Sequence, residues 1–358
     1  MWSESMAQNE TKDSDMVFPR EVLIGKGYLS KMPGLLERLK IGRNLLVVCG
    51  RNTANLAGNE LADMLQEKGY RCDVIIEDRA TEKSVERVHS LSKGFDAIIA
   101  VGGGSKIDIA KLAAHLENIP FISVPTTASH DGIASPRASI ERDGSSISVE
   151  ASAPVAIVAD TGIVSKAPYR LLASGCADLI AKKSSVKDWE LANRLRNEPF
   201  SSFASALAML ACNTVIDSAD IIKEGLEESA WIVMKSLVLS GVSMSIAGSS
   251  RPASGAEHLF AHALDRIAPG KALHGEECGV GTIIMLYLHG EDWRSIRDVL
   301  RKIKAPTSAL ELGVSDGDII EALTMAHEMR KDRYTILGDS GISRSAAERA
   351  ARITEVIG

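Results

Sequence analysis

The stretch Ala97-Ile98-Ile99-Ala100-Val101-Gly102-Gly103-Gly104-Ser105-Lys106-Ile107-Asp108 decides the fold. An unbroken apolar run reads as a buried strand, and the pattern over 106–116 reads as a helix. The glycines between them form a turn of minimal bulk. Their backbone can approach a phosphate closely and leaves N–H groups free to donate, next to the positive end of a helix. The spacing is neither G-x-G-x-x-G nor G-x-x-x-x-G-K-[ST]. A plain strand-to-helix turn therefore stands beside the phosphate-binding reading.

Outward from this turn the same alternation repeats. Short Val- and Ile-rich runs at 44–49, 72–76, 97–101, 121–124 and 156–158 read as buried strands. Helical patterns at 53–68, 84–93 and 106–116 separate them. The expected fold class is α/β, a parallel sheet with helices on both faces, over residues 17–165. Ligands of such sheets bind at the carboxyl ends of the strands, so the glycine turn and the loop 125–129 should face one crevice. From about Lys166 only helical patterns remain: 169–194, 200–223, 225–249, 256–266, 276–288, 295–303 and two more. An all-helical second domain over 166–358 is expected, with the boundary near 165–168. Residues 1–16 are polar and acidic, lack the apolar core of a signal peptide, and read as a mobile tail.

The 358 residues are 45% hydrophobic and 25% charged, an ordinary balance for a protein with a full core. A net charge of −6 argues against nucleic acid or an anionic membrane as the main partner. Cys49, Cys72, Cys176, Cys212 and Cys278 are scattered and odd in number. That pattern fits reduced thiols in a cytoplasmic protein better than a disulfide framework or a zinc ribbon. The run 280–288, read as the most apolar stretch, is far too short to span a bilayer.

Three distant stretches supply ligand chemistry. Asp178 lies in the apolar helical run 173–181, where a carboxylate needs a partner, either a metal or a cation. His258 and His262 are four apart and share a helix face. Leu259 occupies the position where H-E-x-x-H carries its glutamate, so a zinc-protease reading fails. His274 follows, beside Gly275 and Glu276. A carboxylate with two imidazoles suits zinc or ferrous iron, and three ligands leave a position open for a substrate oxygen. The loop 125–135 adds Thr126, Thr127, Ser129, His130, Asp131 and Ser135. Its hydroxyls suit cofactor binding or simple helix capping, and Asp131 could hold a substrate hydroxyl.

Together these motifs resemble the sn-glycerol-1-phosphate dehydrogenases of archaea, within the wider group of glycerol dehydrogenases, iron-containing alcohol dehydrogenases and 3-dehydroquinate synthases. The resemblance runs from about Val17 to the C-terminal helices. It rests on 102–111, 124–136, 174–178, 254–265 and 274–281. It implies a Rossmann-like domain followed by a helical one, with the active site in the cleft between them. Gly102, Gly103, Gly104, Ser105, Lys106, Ile107 and Asp108 would line the cofactor pyrophosphate. Thr126, Thr127, Ala128, Ser129 and Ser135 would contact the cofactor near its nicotinamide. Asp178, His258 and His274 would ligate zinc, favoured over iron. Asp131, Asp178 and His262 would be the catalytic and substrate-binding set.

The implied reaction is reversible reduction of dihydroxyacetone phosphate to sn-glycerol 1-phosphate by NADH or NADPH, supplying the backbone of archaeal ether lipids. A homo-oligomer is implied as well. Rival readings are a glycerol dehydrogenase acting on dihydroxyacetone, a 3-dehydroquinate synthase, and a non-catalytic binding protein. Arg251 and Lys271 flank the histidine motifs and are candidates for a phosphate pocket. The acidic pair Glu77-Asp78 after the second apolar run leaves the choice between NADH and NADPH open.

Overall fold

A computed structural model describes residues 16–142 and 145–358, so most of the expected N-terminal tail lies outside the described residues. Six parallel strands form the main sheet: β1 (Glu21–Gly25), β2 (Asn44–Cys49), β3 (Arg71–Ile76), β4 (Ala97–Gly102), β5 (Phe121–Pro125) and β8 (Ala156–Asp160). A hairpin of β6 (Arg137–Arg142) and β7 (Ser145–Glu150) lies between β5 and β8 in the chain. The spatial order is β1-β8-β5-β4-β2-β3. The chain steps outward from β2 to β3 and returns on the other side of β2 to β4. The switch point thus falls between β2 and β4, at the end of the sheet where the glycine turn lies.

Two features escaped the sequence patterns. β1 is an edge strand, only partly buried, and pairs with β8 alone, so it shows no clean apolar run. The hairpin is rich in serine and charge and packs one side only, so its pattern reads as loop.

β2, β4, β5 and β8 bury both faces, as a continuous apolar run requires. Leu45, Val47, Ile99 and Val101 face a separate core shared with the helices Met32–Leu39 and Asn59–Glu67. Leu46, Val48, Ile98 and Ala100 face the other way, into a core continuous with the helical region. Each large aliphatic side chain removed from water this way contributes roughly 1.5–3 kcal/mol. The two halves are therefore held together by one shared apolar layer.

Beyond β8, and among the described residues, the chain is helical without strands. The long helices are Tyr169–Arg196, Ser202–Asp217, Glu227–Ala247, Ala256–Ile267 and His274–Leu288, followed by Trp293–Lys302, Asp316–Met325 and Arg344–Ile353. A one-turn helix, Ala309–Leu312, adds a third α-helix where the sequence patterns suggested two.

A longer apolar stretch is the helix Glu227–Ala247. Its 21 residues, at a mean hydropathy of 1.6 over the richest window, pass the length and composition test for a membrane span. Serines at 229, 236, 240, 243 and 245 break up the run in sequence, yet all of them are buried. The helix packs against Ser202–Asp217 and Tyr169–Arg196, and 61% of that window is buried inside the fold, the place of a core helix.

Candidate active site

The helix Gly104–Glu117 starts at the end of β4. Gly103 caps it in extended conformation (φ −77°, ψ −176°) without a side-chain hydrogen bond. Its first N–H groups are thus available to an anion, and the helix dipole favours negative charge there. Gly104 is required for another reason. A Cβ there would stand 1.7 Å from His130 Nε2. The Thr126 amide donates to Gly102 O at 3.1 Å, so the loop after β5 lies against the glycine turn. Thr127 and Ser129 share a contact of 3.4 Å between hydroxyls. Ala128 is buried, and its carbonyl would be 1.9 Å from a Cβ at Gly175, so the helix Tyr169–Arg196 approaches this loop closely only because residue 175 is glycine.

The remaining predicted cofactor residues divide. Lys106 Nζ turns back to Asp78 O (2.7 Å) and Ser105 Oγ (2.9 Å). Ile107 is fully buried in the core between sheet and helices. Asp108 is buried and ion-pairs with Lys111 at 3.3 Å. Lys111 also donates to Gly132 O and Arg137 O, which clamps the loop 126–137 onto the helix. Ser135 is buried beside that clamp, its hydroxyl 3.3 Å from Arg137 O.

Three helices converge on the second half of the site. Asp178 comes from the middle of Tyr169–Arg196, His258 from the start of Ala256–Ile267, and His274 is the first residue of His274–Leu288. Each offers a ligand atom, and with Cys278 Sγ these atoms lie within 4.8 Å of one another. His258 Nε2 is 3.5 Å from Asp178 Oδ1, and His258 Nδ1 is 2.9 Å from Glu257 Oε1. Glu257 is fixed in turn by Ser184 Oγ and the Gly255 amide, each at 2.7 Å. A carboxylate that holds one ring nitrogen and leaves the other facing the ligand cluster is the usual support of a metal-binding histidine. The donor set and its orientation fit a divalent metal. His262, one turn after His258, stacks on His274 with ring centroids 5.6 Å apart.

Asp131 joins the two halves. Its amide donates to Asp178 Oδ2 at 3.3 Å, and its carboxylate accepts from Ser240 Oγ at 2.7 Å and pairs with Lys182 Nζ at 3.0 Å.

The electrostatics follow from burial and close charges. Burial opposes ionisation of Asp178, but Lys182 and His258 outweigh it and hold the carboxyl far below the usual range. Burial works against a charged His258, yet Cys278, Asp178 and Glu257 raise its pKa well above the ordinary value, a proton that metal binding would displace. Burial lowers His262 to about 4, with His258, Arg330 and Arg333 adding to the effect. His274 meets solvent at the start of its helix, but protein crowds its ring. That loss of solvent, with His258 and His262, pushes its pKa well down.

The predicted ligands and substrate residues Asp131, Asp178, His258, His262 and His274 all line one cavity of about 350 Å3, together with Gly104 and Ser105. Neither phosphate candidate does. Arg251 is buried in an ion pair with Glu198 and donates to Tyr334 O, so its charge is already matched. Lys271 is exposed outside the cavity. The sequence reading passed over Lys182, Glu257 and Cys278. Lys182 and Cys278 each stand four residues after a ligand on one helix face, a spacing that could have found them. Arg137 and Arg330 also line the cavity, and no local motif marks them.

A parallel sheet with a switch-point glycine turn, joined to a helical region that converges His and Asp side chains, is the architecture of metal-dependent dehydrogenases. Residues 23–168 match the family described as iron-containing alcohol dehydrogenase. Among solved structures, glycerol dehydrogenase from Schizosaccharomyces pombe superposes with a TM-score of 0.81 at 22% identity, over 97% of this chain and 91% of that one. Sulfoacetaldehyde reductase from Bifidobacterium kashiwanohense, in complex with NAD+, gives 0.76 at 15% identity, over 96% and 99%. At these identities the likeness concerns the fold. Sequence relatives are more specific. The glycerol-1-phosphate dehydrogenase (NAD(P)+) of Methanothermobacter thermautotrophicus is 54% identical over 339 residues, 95% of this chain and 98% of the relative. That of Methanosarcina mazei is 53% identical over 351 residues, 98% of each. The chain belongs to the glycerol-1-phosphate dehydrogenase family, as its motifs indicated.

Proposed function

We propose that the protein reversibly reduces dihydroxyacetone phosphate to sn-glycerol 1-phosphate with NADH or NADPH, the step that provides the glycerophosphate backbone of archaeal ether lipids. The observation that carries this reading is the double contact of the loop 130–131. His130 packs on Gly104 of the glycine turn while the next residue, Asp131, bonds to Asp178 of the ligand cluster. A dinucleotide whose pyrophosphate sits at the first and a ketone held at the second would thereby meet in one cleft.

In this reading residues 17–165 form the nucleotide-binding domain and residues 166–358 the metal and substrate domain. Gly102 to Ser105 cradle the cofactor pyrophosphate, and Thr126, Thr127, Ser129 and Ser135 lie toward its nicotinamide end. Asp178, His258 and His274 hold the metal, a Lewis acid that supplies charge without changing oxidation state, with zinc preferred on the resemblance to the glycerol-1-phosphate enzymes. When bound, the metal supplies polarisation of the C2 carbonyl and the reduced nicotinamide supplies hydride. Asp131 accepts a hydrogen bond from a substrate hydroxyl. His262, neutral at pH 7, donates its ring N–H to the substrate or relays a proton toward the C2 oxygen.

Two further parts of the reading have structural support. All five cysteines are free and buried, which suits a reducing cytoplasm. Phe203, Leu210, Ile221 and Trp231 are exposed on and around the helices Ser202–Asp217 and Glu227–Ala247, which suits a homo-oligomer.

The test is oxidation of NADH and NADPH with dihydroxyacetone phosphate against dihydroxyacetone, using metal-loaded protein. A strong preference for the phosphate ester, with the sn-1 product, is expected. Preference for the free ketone would make the protein a glycerol dehydrogenase. No oxidation of either cofactor with either ketone would overturn the dehydrogenase reading.

A further inference from the structure

A phosphorylated ketone bound beside the metal needs a cation within the same cavity. Most cations near the site are already matched. Lys182 pairs with Asp131 and Asp178, Lys111 with Asp108, and Arg251 with Glu198. Arg333 donates to Ser254 O and Ser250 Oγ, behind the cavity wall. Among the described residues, Arg137 and Arg330 are the only Lys or Arg side chains that line the cavity itself.

We propose that Arg330, assisted by Arg137 across the cavity, binds the phosphate of the substrate and sets the preference for a phosphorylated over a free ketone. This assignment rests on the reading above and adds the residues that recognise the anion. Arg330 stands just after the short turn Ala326–Glu328, on the helical side. Its partner is Asp332 at 2.7 Å, an acid that is 69% exposed. Such a solvated pair is weak, so the guanidinium can exchange it for a bound phosphate at little cost. Arg137 reaches the same space from β6. It donates to Ser148 O at 3.1 Å and to Ser148 Oγ at 3.3 Å, and it has no carboxylate in ion-pair contact among the described residues.

The two guanidinium groups lie close enough to repel one another. Burial is the main influence lowering Arg137, and the charge of Arg330 is the next. Arg330 also depresses His262, the imidazole placed against the substrate. Two like charges facing one polar cavity are relieved by an anion between them. A guanidinium fork matches the tetrahedral oxygens of a phosphate monoester through paired hydrogen bonds. The metal-ligand candidates, His262 and Arg330 line one cavity, so a C2 carbonyl beside the ligand cluster and a phosphate one carbon further along the substrate can be held in the same space. The same chemistry could instead serve the cofactor pyrophosphate, and the test separates the two sources.

Arg330→Gln and Arg330→Lys, both checked for thermal unfolding and metal content, are compared with wild-type holoenzyme. The expected result for Arg330→Gln is a KM for dihydroxyacetone phosphate raised about 10–100-fold, the range for one charge-assisted bond to the anion. Competitive inhibition by inorganic phosphate should weaken by the same factor. The KM for NADH should stay within about twofold, and lysine should restore part of the loss as a point charge. An increase confined to the KM for NADH would assign Arg330 to the cofactor and overturn the proposal. So would an equal loss of kcat with no change in phosphate inhibition. Calorimetric titration with inorganic phosphate keeps this test separate from the functional reading. If the wild type reduces neither ketone, the dehydrogenase reading fails, whereas phosphate binding lost in Arg330→Gln still supports the anion site. Equal binding by both would reject it.

Discussion

Lys182 Nζ lies 3.0 Å from Asp178 Oδ1, one helical turn earlier on the same helix, and neither side chain meets solvent appreciably. The same ammonium reaches Asp131 at 3.0 Å, so one buried cation fixes together the carboxylates proposed to hold the metal and the substrate. Removing one partner of a buried pair leaves an uncompensated charge and costs about 3–5 kcal/mol. Lys182→Met is therefore expected to lower the unfolding free energy of the metal-free protein, read from denaturant titration, by that order. Metal should recover part of the loss by supplying positive charge at Asp178. A variant as stable as wild type without metal would show that Lys182 does not hold this pair.

Glu257 holds His258 Nδ1 at 2.9 Å and has no route to solvent. It sets the ring tautomer and keeps Nε2 toward the ligand cluster. Loss of such a supporting carboxylate typically weakens metal affinity by about 10–100-fold. Glu257→Gln should show this in a competitive chelator titration, while His258→Ala should bind far less metal still. Equal affinity in Glu257→Gln and wild type would remove Glu257 from the site.

The reasons some of this was readable in the sequence, and some not, are local. β2, β4 and β5 are buried on both faces, so their apolar runs are unbroken and legible. β1 has one neighbour and an exposed side, and its five residues carry no such signal. Asp178, His258 and His274, which converge in the fold, stand out in the sequence because each sits in a compact motif, although nothing in periodicity brings three helices to one point. Arg251 was misjudged because proximity in sequence to a histidine motif does not fix side-chain direction. Its guanidinium points to Glu198 instead. Arg330 sits more than fifty residues from any ligand histidine, on a connection between helices, so only the folded chain places it near His262.

The low pKa of His262 has a consequence for acid stability. Its folded value is about 4, below the ordinary imidazole value of 6.5. Between those values the unfolded chain binds the extra proton and the folded one does not. The stabilisation is full above pH 6.5, declines as pH falls below it, and is gone near pH 4. The half-buried ring should account for about 1–3 kcal/mol of that loss. His262→Asn should flatten the stability profile over this window in denaturant titrations of folded protein. An unchanged slope would mean that His262 titrates normally.

Cys278 tests how open the metal site is. Its sulfur lies 3.5 Å from His274 Nε2, one turn along the same helix, and belongs to the cluster of ligand atoms. In the metal-free protein burial pushes the Cys278 thiol up to about 11, against the opposing pull of His258. A fourth protein ligand would also close the position that a substrate oxygen needs. Cys278→Ser should therefore keep one metal per chain with nearly unchanged affinity, and thiol-specific reagents should not expel the metal from the wild type. Loss of metal from the serine variant would make Cys278 a ligand and turn the site from a catalytic toward a structural one.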